Sequence, residues 1–439
     1  MSLTKAIKVI ALLVFALSLS GLKTEADEIK PKAIPKISIT KPVKFVVIND
    51  VHLWLERQLG PAHPAYNVLK MTKESEEILL RTVELIKEEK PDFVIVTGDM
   101  STNGEKFHHL KVAELLGGLE RNGAKVFVTT GNHDLNVDLP ESFRTTKEDF
   151  REIYSPFGYG EAVLHDDHSL SYVAEINPEI WLLMLDSCIF EPKRSVDGRL
   201  KKETITWMEG VFDKAREQKK LVLAASHHSI LEHFPDQEKY LDRFVINEHE
   251  KIARFLASNG VRTVFTAHLH VHDITMKRFD EKGEGYFLYD IETGSTITWP
   301  CYYRVVEVTP ENKIIVRSKK IDSIPSVKGS FQDHARDFLK KNVAVYGGNL
   351  FKKYVPEEDL SKYGALWAES YMLHARGNEP IGKAIEWPKI DLTNAKPEVL
   401  RGFEFEKGLI ENMRKELPPP DLDIEIDLNS GQYKNISRE

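Results

Sequence analysis

The sequence predicts an α/β protein with a layered β-sheet core flanked by helices and a smaller C-terminal α-helical domain. Two observations carry this expectation. From Val43 to about Arg317, short runs rich in Val, Ile, Leu and Phe alternate with amphipathic segments, the pattern of buried strands covered by helices. Beyond about residue 320 the pattern turns helical. The 439 residues, 41% hydrophobic and 29% charged, suffice for two or three domains with large cores and exclude disordered and fibrous classes.

Taken in order, residues 1–26 place Lys5 and Lys8 before the apolar run Val9–Leu19 and then small and polar residues. This is the layout of an export signal, and the run is shorter than a spanning helix needs. An exported protein is expected, with a membrane location only if the segment is retained as an anchor. Residues 27–42, with Pro31, Pro35 and Pro42, read as a linker. Strands are expected at Phe45–Ile48, Phe93–Val96, Val126–Thr129, Trp181–Leu185, Leu221–Ala225 and Thr263–Thr266, and helices at Thr72–Glu89, Lys201–Gln218 and Asn247–Ser258. The runs Gly285–Ile291 and Tyr303–Val308 lack intervening helices and suggest antiparallel additions.

The layered unit is therefore placed at 43–318 and the helical domain at 319–417. Helices are expected there at Phe331–Asn342, Glu357–Arg376 and Pro397–Glu416, the second with Leu360, Tyr363, Leu366, Trp367 and Tyr371 as a packing stripe. Residues 418–439, opened by three prolines and rich in acid, read as an extended or mobile tail. The net charge of −8 has the wrong sign for a protein that grips long nucleic acid, but a small anionic substrate remains compatible if cations are supplied locally. With only Cys188 and Cys301, a Cys-rich zinc site is excluded, and free thiols are expected.

Chemistry concentrates just past the strands. Phe45–Ile48 runs into Asn49-Asp50-Val51-His52, Phe93–Val96 into Gly98-Asp99, and Val126–Thr129 into Gly131-Asn132-His133-Asp134. Leu221–Ala225 leads to His227-His228, and Thr263–Thr266 to His268-Leu269-His270. The carboxyl edge of a sheet is where open α/β folds hold ligands. On an extended backbone alternate side chains share a side, so Asp50 with His52, and His268 with His270, are expected to converge. A single such motif is an ordinary turn. Five in series make a metal cluster of Asp50, His52, Asp99, Asn132, His227, His268 and His270. Mixed N and O donors suit Mn, Fe, Zn or Co, and seven ligands fit two adjacent ions. The other histidines lack this context, with His108, His109 and His272 the closest candidates for neighbours of the site.

The ordered motif set resembles the calcineurin-like metallophosphoesterase superfamily over about residues 43–318. The resemblance implies the metallophosphoesterase fold and two divalent ions (Mn, Fe or Zn). One would be held by Asp50, His52, Asp99 and His270. The second would be held by Asp99, Asn132, His227 and His268, with Asp99 bridging. His227 is chosen over His228 because it directly follows the strand. It implies that His133 faces the substrate and leaving group, where it can donate a proton while hydroxide from a metal-bridging water attacks in line. Asp134 is placed to orient His133 or to serve only as a turn residue. Ala267 stands where the family usually has Gly, and Ser229-Ile230 where it often has prolines, so altered loop shape is expected rather than lost metal.

The helical module, and the stretch from Glu292-Thr293-Gly294-Ser295 through Pro300 to Tyr303-Arg304, are similar to exported bacterial class III cyclic nucleotide phosphodiesterases. The expected activity is hydrolysis of small phosphodiesters such as cyclic nucleotides. Alternatives are a phosphomonoesterase or nucleotidase on the same core, or a non-catalytic metal-binding protein. Near the motifs only Arg57 and Arg304 supply positive charge, which favours diesters over dianionic monoesters.

Overall fold

A computed structural model describes residues 32–33, 37–55, 69–280, 286–380, 384–393 and 395–437. The expected export signal and Arg57 lie outside them. Of the expected linker, residues 37–42 are described and already pack on the core, where Ile39 is buried.

In chain order, strand β1 (Val43–Ile48) is followed by helix α1 (Ser75–Glu89), β2 (Phe93–Val96), α2 (Lys106–Glu120), β3 (Lys125–Val128) and α3 (Lys147–Ile153). The chain continues through β4 (Leu164–His165), β5 (Tyr172–Asn177), β6 (Ile180–Leu185), α4 (Lys202–Glu217), β7 (Leu221–Ser226), α5 (Gln237–Tyr240) and α6 (His249–Ser258). Strands β8 (Thr263–Thr266), β9 (Asp273–Arg278), β10 (Phe287–Glu292), β11 (Tyr302–Val308) and β12 (Lys313–Lys320) complete this part. Helices α7 (Phe331–Phe351), α8 (Leu360–Arg376) and α9 (Pro397–Asn412) then precede β13 (Ile424–Asp427) and β14 (Tyr433–Asn435).

Among the described residues the strands form two seven-stranded sheets, ordered β14-β13-β12-β11-β1-β2-β3 and β4-β5-β6-β7-β8-β10-β9. The sheets pack face to face, with the Phe45 ring 5.2 Å from that of Phe265 and edge-on to it. Alternation along the strands explains the layering. In β6 and β7, Leu182, Met184, Leu221 and Leu223 join the core between the sheets. Their neighbours Trp181, Leu183, Val222 and Ala224 pack outward against Met208, Phe212, Ile252 and Leu256 of α4 and α6. Such strands must be apolar on both faces.

Two expectations are corrected. Residues 418–437 are not a mobile tail, because β13 and β14 extend the first sheet, with Ile424 and Ile426 buried in its core. The signal is an alternation of Leu422, Ile424, Ile426 and Leu428 with acidic residues, the period of a half-buried strand. Strand β10 is not purely an antiparallel addition, since it pairs parallel with β8 and antiparallel with β9. Helices α7, α8 and α9 gather a separate apolar cluster, with Leu339, Val343, Trp367, Phe403 and Ile410, and it takes in Leu269 and Val271 from the loop after β8. That contact places the helical module beside the chemistry-bearing loops. Cys188 and Cys301 are both free thiols.

Candidate metal centre

The loops after β1, β2, β3, β7 and β8 converge at one end of the two sheets. The loop after β1 is tied to the next by backbone bonds from Asp50 N–H to the Gly98 carbonyl (3.1 Å) and from His52 N–H to the Asp99 carbonyl (2.8 Å). A Cβ on Gly98 would stand 2.4 Å from the Gly131 nitrogen, and one on Gly131 would stand 2.2 Å from the Asp99 nitrogen. The two Gly-led motifs therefore meet backbone to backbone, an approach open only to glycine.

Convergence is not achieved on extended chain as expected. Asp50, His52, Asp99, His268 and His270 have φ of 49°, 41°, 50°, 81° and 62°. Each is a non-glycine residue in a left-handed conformation, at a cost of about 1–3 kcal/mol that the surrounding packing must hold in place. Ala267, at the position that is usually glycine, is not among the positive-φ residues, so its Cβ is tolerated. Leu269 and Val271 alternate with the two histidines and point into the helical module's core.

All seven expected ligands are brought together. Donor atoms of Asp50, His52, Asp99 and His270 lie within 4.8 Å of one another, as do those of Asp99, His227 and His268. His52 Nε2 is 3.2 Å from His270 Nε2. His52 Nε2 is also 3.4 Å from Asp99 Oδ2, and His270 Nε2 is 3.3 Å from Asp50 Oδ1. In the second group His227 Nε2 lies 3.0 Å from Asn132 Oδ1, 3.1 Å from His268 Nδ1 and 3.6 Å from Asp99 Oδ2. Asp99 is common to both.

The donor set fits two divalent cations. Asp50 Oδ1 is buried without a hydrogen-bond partner, an orphan that a cation would satisfy. The outer ring atoms are held so that lone pairs face inward. His227 Nδ1–H donates to the Thr97 carbonyl (2.9 Å) and His268 Nε2–H to the Arg243 carbonyl (3.1 Å), the arrangement that fixes a ligating tautomer. Burial holds the His52 and His268 imidazoles well below the usual range, with the Lys70 ammonium adding to this at His52 and neighbouring imidazoles at both. They are thus neutral donors at physiological pH. Burial would raise the Asp50 carboxyl, but His270, His227 and Lys70 together outweigh it and draw it down to about 2.

His228 stays out of the cluster: its Nδ1 lies 2.8 Å from Ser187 Oγ and its Nε2–H donates to the Val196 carbonyl. His133 sits beside Asn132, its Nδ1–H donating to the Thr102 carbonyl at 2.7 Å. The orienting group is therefore Thr102 and not Asp134. The Asp134 carboxylate instead accepts the backbone N–H groups of Ser101 (3.0 Å) and Gly131 (2.8 Å), pinning the turn. Of the histidines considered as neighbours, His109 Nε2–H donates to the Asp134 carbonyl, His108 accepts the Leu55 N–H, and His272 accepts the Gly294 N–H. Each supports a loop without joining the donors.

Residues missed in the sequence complete the site. Lys70 reaches in from the loop before α1, with Nζ 2.8 Å from His52 Nε2. Burial lowers its ammonium to about 8 against the opposing pull of Asp99 and Asp50. Arg304, by contrast, is no site cation: fully buried, it donates to the backbone carbonyls of Glu292, Asp273 and Asp421. Asn49 Nδ2 donates to Asp50 Oδ2 at 2.8 Å and orients that carboxylate. Above the cluster lies a cavity of about 300 Å³ whose floor includes Asn132, His133, His268 and His270 and whose walls include Phe244, Val343, Tyr346, Trp367, Tyr371 and Met413.

Residues 43–272 match the model of the calcineurin-like phosphoesterase family. Over 183 residues the chain is 30% identical to the probable glycerophosphodiester phosphodiesterase GpdQ of Arcobacter nitrofigilis, covering 42% of this chain and 56% of that protein. The chain thus spans little more than half the length of that curated relative. Among solved structures it is similar to a dimetal phosphatase from Danio rerio, with TM-score 0.45, 15% identity and coverage of 64% of this chain and 96% of that one. The purple acid phosphatase PPD1 of yellow lupin gives TM-score 0.43, 10% identity and coverage of 66% and 53%. With the family's model covering just over half of the chain, the chain belongs to the calcineurin-like phosphoesterase family.

Proposed function

We propose that the chain is a two-metal phosphodiesterase that hydrolyses small phosphodiesters, with cyclic nucleotides as the substrate class. The observation that carries this reading is the cavity above the donors, lined by aromatic and aliphatic side chains together with Lys70, Asp99, Asn132, His268 and His270. Trp367 and Tyr371 stack on each other there, 5.5 Å apart, and present flat apolar surface suited to a nucleobase. When bound at the two donor groups, divalent ions would polarise the phosphoryl oxygens and make hydroxide available near neutral pH.

This chain's own residues do the rest. Asp99 would bridge the two ions. Asp50, His52 and His270 would hold one ion, and Asn132, His227 and His268 the other, and the phosphate would be received between them. His133, locked through Nδ1, keeps Nε2 for the departing oxygen. Burial lowers its imidazole to about 4, and an anionic phosphate beside it raises the charged form that can donate a proton. Helices α7 and α8 exclude water from the organic part of the substrate.

A phosphomonoesterase or nucleotidase is the second reading, and Lys70 favours it, because an ammonium beside the donors would help neutralise a dianion. The apolar wall and the GpdQ-like relative favour the diester. Matched chromogenic monoester and diester substrates, assayed with Mn and followed by 3′,5′- and 2′,3′-cyclic nucleotides, decide the matter. A kcat/KM at least tenfold higher for the diester is expected, and the reverse ratio would establish the nucleotidase. We further propose export, on the strength of Lys5, Lys8 and the Val9–Leu19 run. Among the described residues no helix is long and apolar enough to cross a membrane.

A further inference from the structure

A second cluster of ligating side chains lies where the helical module meets β9, and one of its members, His374, also lines the cavity above the first. Asp273 opens β9, His374 lies in the last turn of α8, Glu379 in the loop beyond it, Glu416 after α9, and Asp421 on the approach to β13. Donor atoms of Asp273, His374 and Glu379 lie within 4.8 Å of one another, as do those of Glu379, Glu416 and Asp421. Glu379 is the shared vertex. Asp273, His374, Glu379 and Asp421 are buried, and Glu416 is half-buried.

The hydrogen bonds of these groups leave defined oxygens over. Glu379 Oε1 accepts His374 Nδ1–H at 2.6 Å, and Glu416 Oε2 accepts the Glu379 backbone N–H at 2.9 Å. Asp421 accepts the backbone N–H groups of Ile274 (2.8 Å) and Asn378 (2.5 Å). Glu379 Oε2 and Glu416 Oε1 remain enclosed without any hydrogen-bond partner, the former on a residue only 4% exposed. Of the nearby basic groups, two imidazoles face the cluster, His233 at Asp273 and His374 at Glu379. His233 binds Asp273 Oδ1 at 2.6 Å and also faces Asp290 and Glu292, Arg304 gives its hydrogens to backbone carbonyls, and Arg414 reaches Glu369. Buried carboxylates without a countercharge are strongly disfavoured. Burial, with Asp273 and Glu379 close by, pushes Glu416 up to about 9.

We propose that Glu379, Glu416 and Asp421 form a calcium site that clamps the helical module to β9, with Asp273 and His374 flanking it through Glu379. Oxygen donors from three chain segments, able to bind through one or two oxygens, suit calcium's large and flexible coordination shell. An all-carboxylate set is a poor match for zinc, which favours nitrogen and sulfur donors. The clamp would have a functional consequence, since β9 begins three residues after His270 and the module it secures supplies Val343, Trp367 and Tyr371 to the cavity wall. This inference does not depend on which phosphoester is cleaved.

The test uses the full chain, stripped with chelator, reloaded with Mn and then dialysed against radioactive calcium. One calcium per chain is expected, together with a calcium-dependent rise in the melting temperature. Glu379→Gln and Glu416→Gln should each lose the bound calcium and the rise while keeping the Mn content of the wild type. Asp99→Ala should keep the calcium. No calcium on the wild type would overturn the proposal and leave shared protons as the means of neutralisation. Undiminished calcium in both Gln variants, calcium lost with Asp99, or occupation by zinc or Mn in preference to calcium would overturn it equally. If the Gln variants fail to fold, the wild-type stoichiometry and its survival in Asp99→Ala decide alone.

Discussion

Asp99 accepts the backbone N–H of His133 through Oδ1 at 2.7 Å while its Oδ2 lies 3.4 Å from His52 Nε2 and 3.6 Å from His227 Nε2. One carboxylate thus joins both halves of the donor cluster and fixes the loop that carries the general-acid candidate. In the proposed mechanism, metal binding and leaving-group chemistry share this joint.

His133→Ala should keep its metals and lose about 10²–10⁴-fold in turnover on diesters with poor leaving groups. Activated aryl esters, whose leaving oxygens need no proton, should lose much less. A uniform loss across a series of leaving groups would assign His133 to positioning alone.

Gly131→Ala should destabilise the fold by roughly 1–3 kcal/mol and lower metal affinity, because its Cβ would meet both the Asp99 backbone and the Asp99 Oδ1 atom at 2.2 Å. Denaturant unfolding with and without Mn measures both effects. A variant as stable as the wild type would contradict the backbone contact.

The five motif loops were legible because each follows an apolar strand, and strand ends are where side chains can gather. Their backbone geometry was not. Left-handed φ at Asp50 or His268 comes from contacts with loops distant in sequence, and nothing local announces it. Lys70 was missed for the same reason, since it precedes α1 with no motif around it. Helix α2 escaped notice because His108, His109 and the pair Gly117-Gly118 interrupt its apolar stripe. The opposite error was made with Arg304, which stands close to a motif in the sequence but is turned into the interior. Asp134 shows how adjacency misleads: it neighbours His133 in the chain yet bonds to the backbone beneath it.

Tyr371→Leu should raise KM for a cyclic nucleotide by about 3–10-fold, the worth of one lost aromatic contact. It should leave kcat for a small aryl diester nearly unchanged. Equal effects on both substrates would place the base elsewhere.

Stability of the metal-free protein should fall as the pH drops below about 6.5. Burial lowers His109 to about 4 and His228 to about 3, both from an ordinary value of 6.5. The unfolded chain therefore binds protons that the folded one refuses. Their contribution is complete above pH 6.5 and is lost progressively down to the folded values. Denaturation midpoints at pH 7 and 5 should differ less in His109→Gln than in the wild type, and an unchanged difference would remove His109 from the account.

The central claim is that Asp99 bridges two catalytic ions, and the Mn content of Asp99→Ala against the wild type, measured in calcium-saturated buffer, tests it most directly. The account predicts two fewer Mn per chain in the variant, because neither three-sided remainder holds its ion against the other. A variant that carries as much Mn as the wild type would contradict it.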